Sequence, residues 1–228
     1  MELKPQDAKL LNYLYHHARE PATKIAKAIG LTREQVDYKI NKYISEGVIK
    51  KFTTLFNYSA LGYSEYRILL LKFAKPIHAI NFFNSKRKDS NIFSKAQSSN
   101  KYDVVMEMFF KSEKEFRIYL NKLLNEQKGK IFDYLIFNPY YSKIWALKFL
   151  QGKKEEGVPF ITETEPIKLD AKDIKILKML AEDGREKIVE IADYLKISPE
   201  LALYKIKKLH ERKIILSSAI IFDMKKLN

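Results

Sequence analysis

The sequence predicts an α+β protein in which two winged helix-turn-helix domains flank an antiparallel domain of βαββαβ order. First, the stretch from Thr23 to Ile49 has the spacing of two short helices joined by a tight turn at Gly30. Second, this stretch recurs without a gap 166 residues later, from Val189 to Ile215. Third, the segment between the copies alternates strand and helix patterns. The chain is therefore expected to carry one module twice around a different central domain.

The 228 residues carry a formal net charge of +14, and hydrophobic residues make up 46% of them. Such a basic chain favours a polyanionic partner, with nucleic acid as the first candidate and an anionic membrane surface as the second. Its apolar content excludes a disordered chain, and no apolar run reaches the roughly 18 residues of a membrane span. The first residues do not resemble a signal peptide, so a cytoplasmic, nucleoid-associated protein is expected. The absence of cysteine excludes disulfides and thiolate sites.

The first module begins with an amphipathic pattern over residues 3–17, which predicts a bracing helix. Thr32 and Gln35 have the spacing of a capping box and are expected to begin the second helix of the motif. After a helix stop at Gly47, the segment Val48–Tyr58 is rich in β-branched and aromatic residues, which predicts a wing. Aligning Leu3–Gly62 with Leu169–Asn228 gives roughly 17 identities in about 60 positions, more than chance would give.

The second helix of such a motif enters the major groove of DNA and the wing contacts the backbone. The polar and basic side chains of these elements are therefore candidate DNA contacts, although a solvated basic face is the alternative. Tyr38 and its counterpart Tyr204 would either stack on a sugar or buttress the first helix. The candidates are Arg33, Gln35, Tyr38, Lys39, Lys42, Lys50 and Lys51 in the first copy and Tyr204, Lys205 and Lys208 in the second.

The central segment, from Tyr66 to Asn138, shows the order strand, helix, strand, strand, helix, strand, which is typical of a ferredoxin-like domain. Its sheet is expected to be covered by helices on one face, and the open apolar face favours a homodimer or higher oligomer. Tyr140–Leu150 fits either a fifth strand or a short helix. The predicted domains are residues 1–62, 63–150 and 169–228, with a linker over 151–168.

The stretch LDAKDIKILKMLAEDGREKIVEIADYLKIS, from Leu169 to Ser198, and its N-terminal counterpart resemble the DNA-binding module of the Lrp/AsnC (feast/famine) transcriptional regulators. Tyr66–Tyr140 is similar to that family's ferredoxin-like effector and dimerisation domain. The resemblance implies a sequence-preferring regulator that binds double-stranded DNA, without a cofactor or enzyme activity. The usual architecture has one module before one effector domain, whereas this chain adds a second module behind it, as in some archaeal-looking relatives.

The chain departs from the family pattern at the effector loop. Tyr102 and Asp103 stand at the place of the family's Gly-x-Tyr-Asp loop, but Asn100 replaces the glycine, so free amino acids are expected to bind weakly or not at all. The second copy also replaces Gln35 with Leu201, and the first copy's two wing lysines with Leu216 and Ser217. The N-terminal module is therefore expected to supply most of the sequence reading.

Enzyme and metal chemistry find little support in the sequence. The four histidines show no metal-binding spacing, and no P-loop or hydrolase motif is present. A haem-pathway decarboxylase-like enzyme on the same fold would need a histidine or arginine facing the middle cavity, and His78 is the only histidine of that domain. A protein-binding adaptor of the transcription machinery is the other alternative, and it predicts a flat salt response toward DNA.

Overall fold

A computed structural model describes residues 4–144, 157–161 and 164–226, which group into two compact units. The first unit contains Met1–Asn57, Lys143–Phe160 and Lys168–Asn228, and the second contains Tyr58–Ser142 and Ile161–Ile167. The two helix-turn-helix segments thus share one unit, which differs from the predicted separate terminal domains. The α+β class is confirmed, and no helix in the described ranges is long and apolar enough to cross a membrane.

The elements follow the predicted order along the chain. The helices are α1 (Pro5–His17), α2 (Ala22–Ile29), α3 (Arg33–Ser45), α4 (Pro76–Ser85), α5 (Glu113–Glu126), α6 (Ala171–Glu182), α7 (Ile188–Leu195) and α8 (Pro199–Glu211). The strands are β1 (Ile49–Phe56), β2 (Glu65–Phe73), β3 (Ile92–Gln97), β4 (Val104–Phe110), β5 (Ile131–Phe137), β6 (Ser142–Ile144), β7 (Val158–Ile161) and β8 (Ile215–Phe222).

The predicted wing has a different structure, because β1 does not form a hairpin within its own module. It pairs in antiparallel fashion with β8 of the repeat, and Thr53 lies opposite its own counterpart Ala219 at the centre. A lone strand leaves its N–H and C=O groups unpaired, and the equivalent strand of the other copy supplies the missing partner. The wing expected over Val48–Tyr58 is therefore one half of a ribbon shared by both modules.

The ribbon has two-fold symmetry throughout its register. Phe52 lies opposite Ile220, and the counterparts of these residues, Ser218 and Thr54, also lie opposite each other. The backbone hydrogen bonds beside the ribbon have the same two-fold symmetry. The N–H of Ala18 donates to the Ser218 carbonyl at 3.1 Å, and the N–H of its counterpart Gly184 donates to the Phe52 carbonyl at 3.2 Å. The first unit is thus a pseudo-dimer built from one chain.

The second unit is a four-stranded antiparallel sheet of order β3-β4-β2-β5, with α4 and α5 packed on one face. The alternate residues of β2 that face these helices, Leu69, Leu71 and Phe73, are buried. On the opposite face, Leu135 and Phe137 of β5 are 40% and 48% exposed. The sheet therefore has one covered and one open face.

The segment between the second unit and the repeat is not wholly a linker. The strands β6 and β7 form a separate two-stranded sheet, so part of the predicted 151–168 linker is a strand. For Tyr140–Leu150, the structure gives a strand over Ser142–Ile144, and residues 145–150 lie outside the described ranges. Residues 151–156 and 162–163 of the linker also lie outside them.

Candidate nucleic-acid interface

The helices α3 and α8 are the second helices of the two motifs, and each begins at a side-chain cap. The Thr32 hydroxyl accepts a hydrogen bond from the Gln35 N–H at 3.2 Å, and the Gln35 side-chain oxygen accepts one from the Thr32 N–H at 3.0 Å. Ser198 accepts from the Leu201 N–H in the same way at 3.2 Å. Each motif thus forms from local sequence, as the capping pattern predicts.

The outer face of α3 presents most of the candidates to solvent. Arg33, Gln35 and Tyr38 are exposed, and Tyr38 retains 69% of its surface. Arg33 has only a loose contact with Asp37, at 3.6 Å between Nε and Oδ2. Because the oxygen of the Gln35 amide serves the cap, its NH₂ group is the part left for a base edge. Asn41, which is not among the candidates predicted from the sequence, is also exposed on this face. It lies three residues after Tyr38, and this helical spacing is the signal that indicates it.

Lys39 is held inside the protein instead of facing outward. Its ammonium forms an ion pair with Asp7 of α1, and only 21% of the side chain is exposed. The repeat has the same arrangement, in which Lys205 contacts Asp173 at 2.9 Å and Asp170 at 2.5 Å with 16% of its side chain exposed. Both ammonium groups hold the first helix of a module to its third, which is not the free position that the DNA-contact prediction assumed.

Lys42 and Lys208 occupy equivalent exposed positions near the ends of α3 and α8. Lys42 lies 3.9 Å from Glu46, and Lys208 lies 2.9 Å from Glu211, each within one turn of its own helix. Exposed pairs of this kind are weak and exchange readily with solvent. These two lysines therefore remain available to phosphate groups.

The two wing lysines already have partners in the first unit. Lys50 lies 3.1 Å from Asp223, and the Lys51 ammonium donates to the Ala181 carbonyl at 3.2 Å. Both side chains are exposed, so neither contact buries the charge. They lie along the shared ribbon instead of at the tip of a free wing, because β1 is paired with β8.

Tyr204 on α8 is 55% exposed and sits at the position equivalent to Tyr38. The Lys208 ammonium lies 5.6 Å from the centre of its ring, within the range of a cation–π contact. Because both tyrosines project into solvent, buttressing of the first helix does not account for them. An exposed pair of aromatic rings at equivalent positions suits stacking on a partner.

The loop predicted as an effector site is tied into the second unit. One oxygen of Asp103 accepts from the Lys72 ammonium and the other from the Phe73 N–H, both at 2.8 Å. The Tyr102 hydroxyl lies 3.3 Å from Asp133. Asn100 does not have a positive φ, and its side chain accepts from the Lys101 N–H at 2.9 Å. The asparagine is therefore accommodated without backbone strain, and Asp103 has a structural partner.

Within the described ranges, no cluster of three or more histidine and carboxylate side chains could hold a metal ion. The candidate interface is built from two related helices, α3 and α8, and the symmetric β1–β8 ribbon. Residues 169–210, which include most of α8, match the model of the AsnC-type helix-turn-helix domain.

The HTH-type transcriptional regulator FL11 of Pyrococcus horikoshii is 29% identical over 115 residues, which cover 50% of this chain and 76% of FL11. In fold, the siroheme decarboxylase NirDL superposes with a TM-score of 0.64 at 16% identity, over 95% of this chain and 65% of that one. Escherichia coli AsnC superposes with a TM-score of 0.53 at 14% identity, over 63% of this chain and 96% of that one. The chain is thus similar in sequence to the HTH-type transcriptional regulator FL11 and in fold to AsnC, and its residues 169–210 match the AsnC-type helix-turn-helix domain.

Proposed function

We propose that this protein is a transcriptional regulator that binds double-stranded DNA with some sequence preference and works on the chromosome. The observation that carries the proposal is the pair of helix-turn-helix modules joined by the symmetric β1–β8 ribbon. Dimeric regulators place two such modules on half-sites related by two-fold symmetry. Here one chain supplies both modules, so the expected target is an imperfect palindrome.

The two half-sites are expected to be unequal, because the exposed starts of the two helices differ. Arg33 and Gln35 begin α3 and carry donors that can reach base edges. Their counterparts Pro199 and Leu201 in α8 have no side-chain donor or acceptor. Sequence reading is therefore assigned mainly to the N-terminal module, and the C-terminal module supplies phosphate contacts through Lys208.

The open face of the second unit supports a homodimer or higher oligomer. Leu70 lies opposite Val105 and Leu135 in the sheet, and all three side chains retain exposure on this face. An apolar sheet face of this kind gains free energy when a second copy covers it. Sedimentation velocity of the full chain should show association that Leu135→Glu abolishes. A wild-type chain that stays monomeric at high concentration would argue against this interface.

A regulator is favoured over an enzyme because the similarity in sequence to a regulator is stronger evidence than the similarity in fold to an enzyme. FL11, named as a transcriptional regulator, is similar over half of this chain at 29% identity. The likeness to the siroheme decarboxylase, at 16% identity, shows a shared fold alone. We also propose that free amino acids bind weakly, because Asn100 occupies space that a glycine would leave open.

The function is tested by fluorescence anisotropy with genomic fragments and by selection from a random duplex library, both with the full chain. We expect an enriched two-part motif and an affinity that falls steeply between two salt concentrations. The combined change Arg33→Ala and Gln35→Ala should erase one half of the motif, whereas Arg87→Ala in the second unit serves as the control. Isolated modules are unsuitable, since each would lose the strand that pairs with β1 or β8. A flat salt response without enrichment would instead support the protein-binding adaptor.

A further inference from the structure

A cavity of about 1070 Å³ lies between the two helix-turn-helix modules inside the first unit. The corner between α1 and α2 lines one side, and the start of α7, the outer part of α8 and the beginning of β8 line the other. The space exceeds the roughly 300–1,000 Å³ typical of small-molecule sites by only a little. Within the described part of the chain, its lining includes no residue of α3.

The lining of this cavity carries an excess of positive charge. Arg19, Arg185, Lys187 and Lys207 contribute cations, against the carboxylates of Glu20 and Glu186. Glu20 is already neutralised, because its carboxylate accepts from the Lys24 ammonium at 2.6 Å and from the Tyr13 hydroxyl at 2.5 Å. The net field in the cavity therefore favours an anion.

The two arginines occupy equivalent positions of the repeat, and both are partly buried. Burial lowers the pKa of Arg19, the charges of Asp183 and Glu186 partly oppose this shift, and the charge of Arg185 adds to it. Within the described ranges, the Arg19 guanidinium donates one hydrogen bond, to the Gly184 carbonyl at 3.2 Å. Arg185 stands over the Phe52 ring at 5.2 Å and has no side-chain hydrogen bond or ion pair among the described residues. Most of the guanidinium N–H donors of the two arginines therefore have no acceptor among the residues that the structure describes.

Other partly buried cations of this protein are treated differently. Lys39 and Lys205 each have a carboxylate partner, and Arg67 in the second unit contacts both Glu65 and Glu113. Partial burial of a cation costs free energy unless a counter-charge compensates it. Arg19 and Arg185 differ from these cations, because neither has a carboxylate within ion-pair distance in the described ranges. Only the more distant charges of Asp37, Asp183 and Glu186 act on them.

We propose that this cavity binds an organic anion, whose carboxylate or phosphate group lies against Arg19 and Arg185. Arginine suits this task because its planar donors bind both kinds of oxyanion in a bidentate manner. The apolar body of the ligand would pack against Leu203, Ile206 and Leu216, which line the same space. Because the two arginines come from different modules, the ligand bridges the pair and is an effector of the regulator. That last step rests on the proposed function, whereas the binding itself does not.

The test is calorimetry with the full chain in the absence of DNA, so its failure leaves the proposed function standing. The probes are 1-naphthoate, 1-naphthyl phosphate and the uncharged 1-naphthalenemethanol, which share an apolar body. We expect saturable one-to-one binding of at least one anion, at least tenfold tighter than that of the alcohol. The tighter of the two anions identifies the ligand as a carboxylate or a phosphate.

Arg185→Leu should weaken anion binding at least tenfold, and the matched change Arg87→Leu in the second unit should leave it within twofold. Because Arg185 makes no side-chain hydrogen bond or ion pair in the described ranges, the ligand-free Arg185→Leu protein should melt close to the wild type. If that variant does not fold, Arg185→Lys keeps the charge but loses the planar donors and should weaken binding at least threefold. The proposal would be overturned if the anions and the alcohol bind equally well, or if the Arg185 variants bind the anion as tightly as the wild type. It would also be overturned if these variants lose affinity for DNA but keep their affinity for the anion.

Discussion

Alanine at Lys39 and alanine at Lys42 should have opposite consequences, although the residues lie three positions apart on α3. The Lys39 ammonium is paired with Asp7, which also accepts a hydrogen bond from Tyr43. Burial and, after it, this hydrogen bond raise the pKa of Tyr43. Lys42 retains 43% of its side-chain surface and has only a 3.9 Å contact with Glu46. The first lysine therefore supports the module, and the second is free to reach DNA.

The magnitudes follow from these positions. A lysine that neutralises one phosphate contributes about 0.9 to the slope of log affinity against log salt concentration, so Lys42→Ala should reduce the slope by about one. Lys39→Ala should leave the slope unchanged. Because it leaves a partly buried carboxylate without its cation, it should lower the free energy of unfolding by about 1–3 kcal/mol.

The assay is fluorescence anisotropy of the full chain with a selected duplex at four salt concentrations, combined with urea unfolding. Lys205→Ala is the matched control for Lys39→Ala, since it breaks the equivalent pair in the second module. Both should lower stability and keep the salt slope. A slope that falls by one unit in Lys39→Ala, with unchanged stability, would refute the structural role given to this lysine.

Three further changes test the modules themselves. Lys213 has φ +57° where its counterpart in the first copy is a glycine, so Lys213→Gly should raise the free energy of unfolding by about 1 kcal/mol in urea titration; an equal or lower value would contradict this. The Cβ of Gly184→Ala would lie 2.4 Å from the Thr53 carbonyl oxygen, so this variant should lose about 1–3 kcal/mol, and unchanged unfolding would show that the ribbon gives way at no cost. The hydrogen bond from Lys205 lowers the pKa of Asp170. Since that pKa is below its unfolded value of about 3.9, the associated stability is present above pH 4 and is lost as the pH falls further, and Asp170→Asn should flatten this acid limb in thermal melts taken from pH 5 to pH 2.

The sequence by itself determined the elements whose causes are local. The capping residues Thr32 and Ser198, the apolar spacing of the helices and the alternation of β2 and β4 each act within a few residues, so the motifs and the βαββαβ order could be predicted. The repeat at a constant offset added that the two modules have one architecture. The exposure of Arg33, Gln35 and Tyr38 on the outer face of α3 also follows from helical spacing alone.

Only the tertiary structure decided which elements pack against and pair with one another. Lys39 falls on the outer side of a helical wheel, but its partner Asp7 lies 32 residues earlier, and no local pattern announces such a pair. The sequence likewise shows that β1 and β8 are strands without naming their partners, because strand pairing is set by contacts far apart in the chain. Once β1 pairs with β8, the wings become one ribbon, the two modules acquire a two-fold axis, and Arg19 and Arg185 line the same cavity.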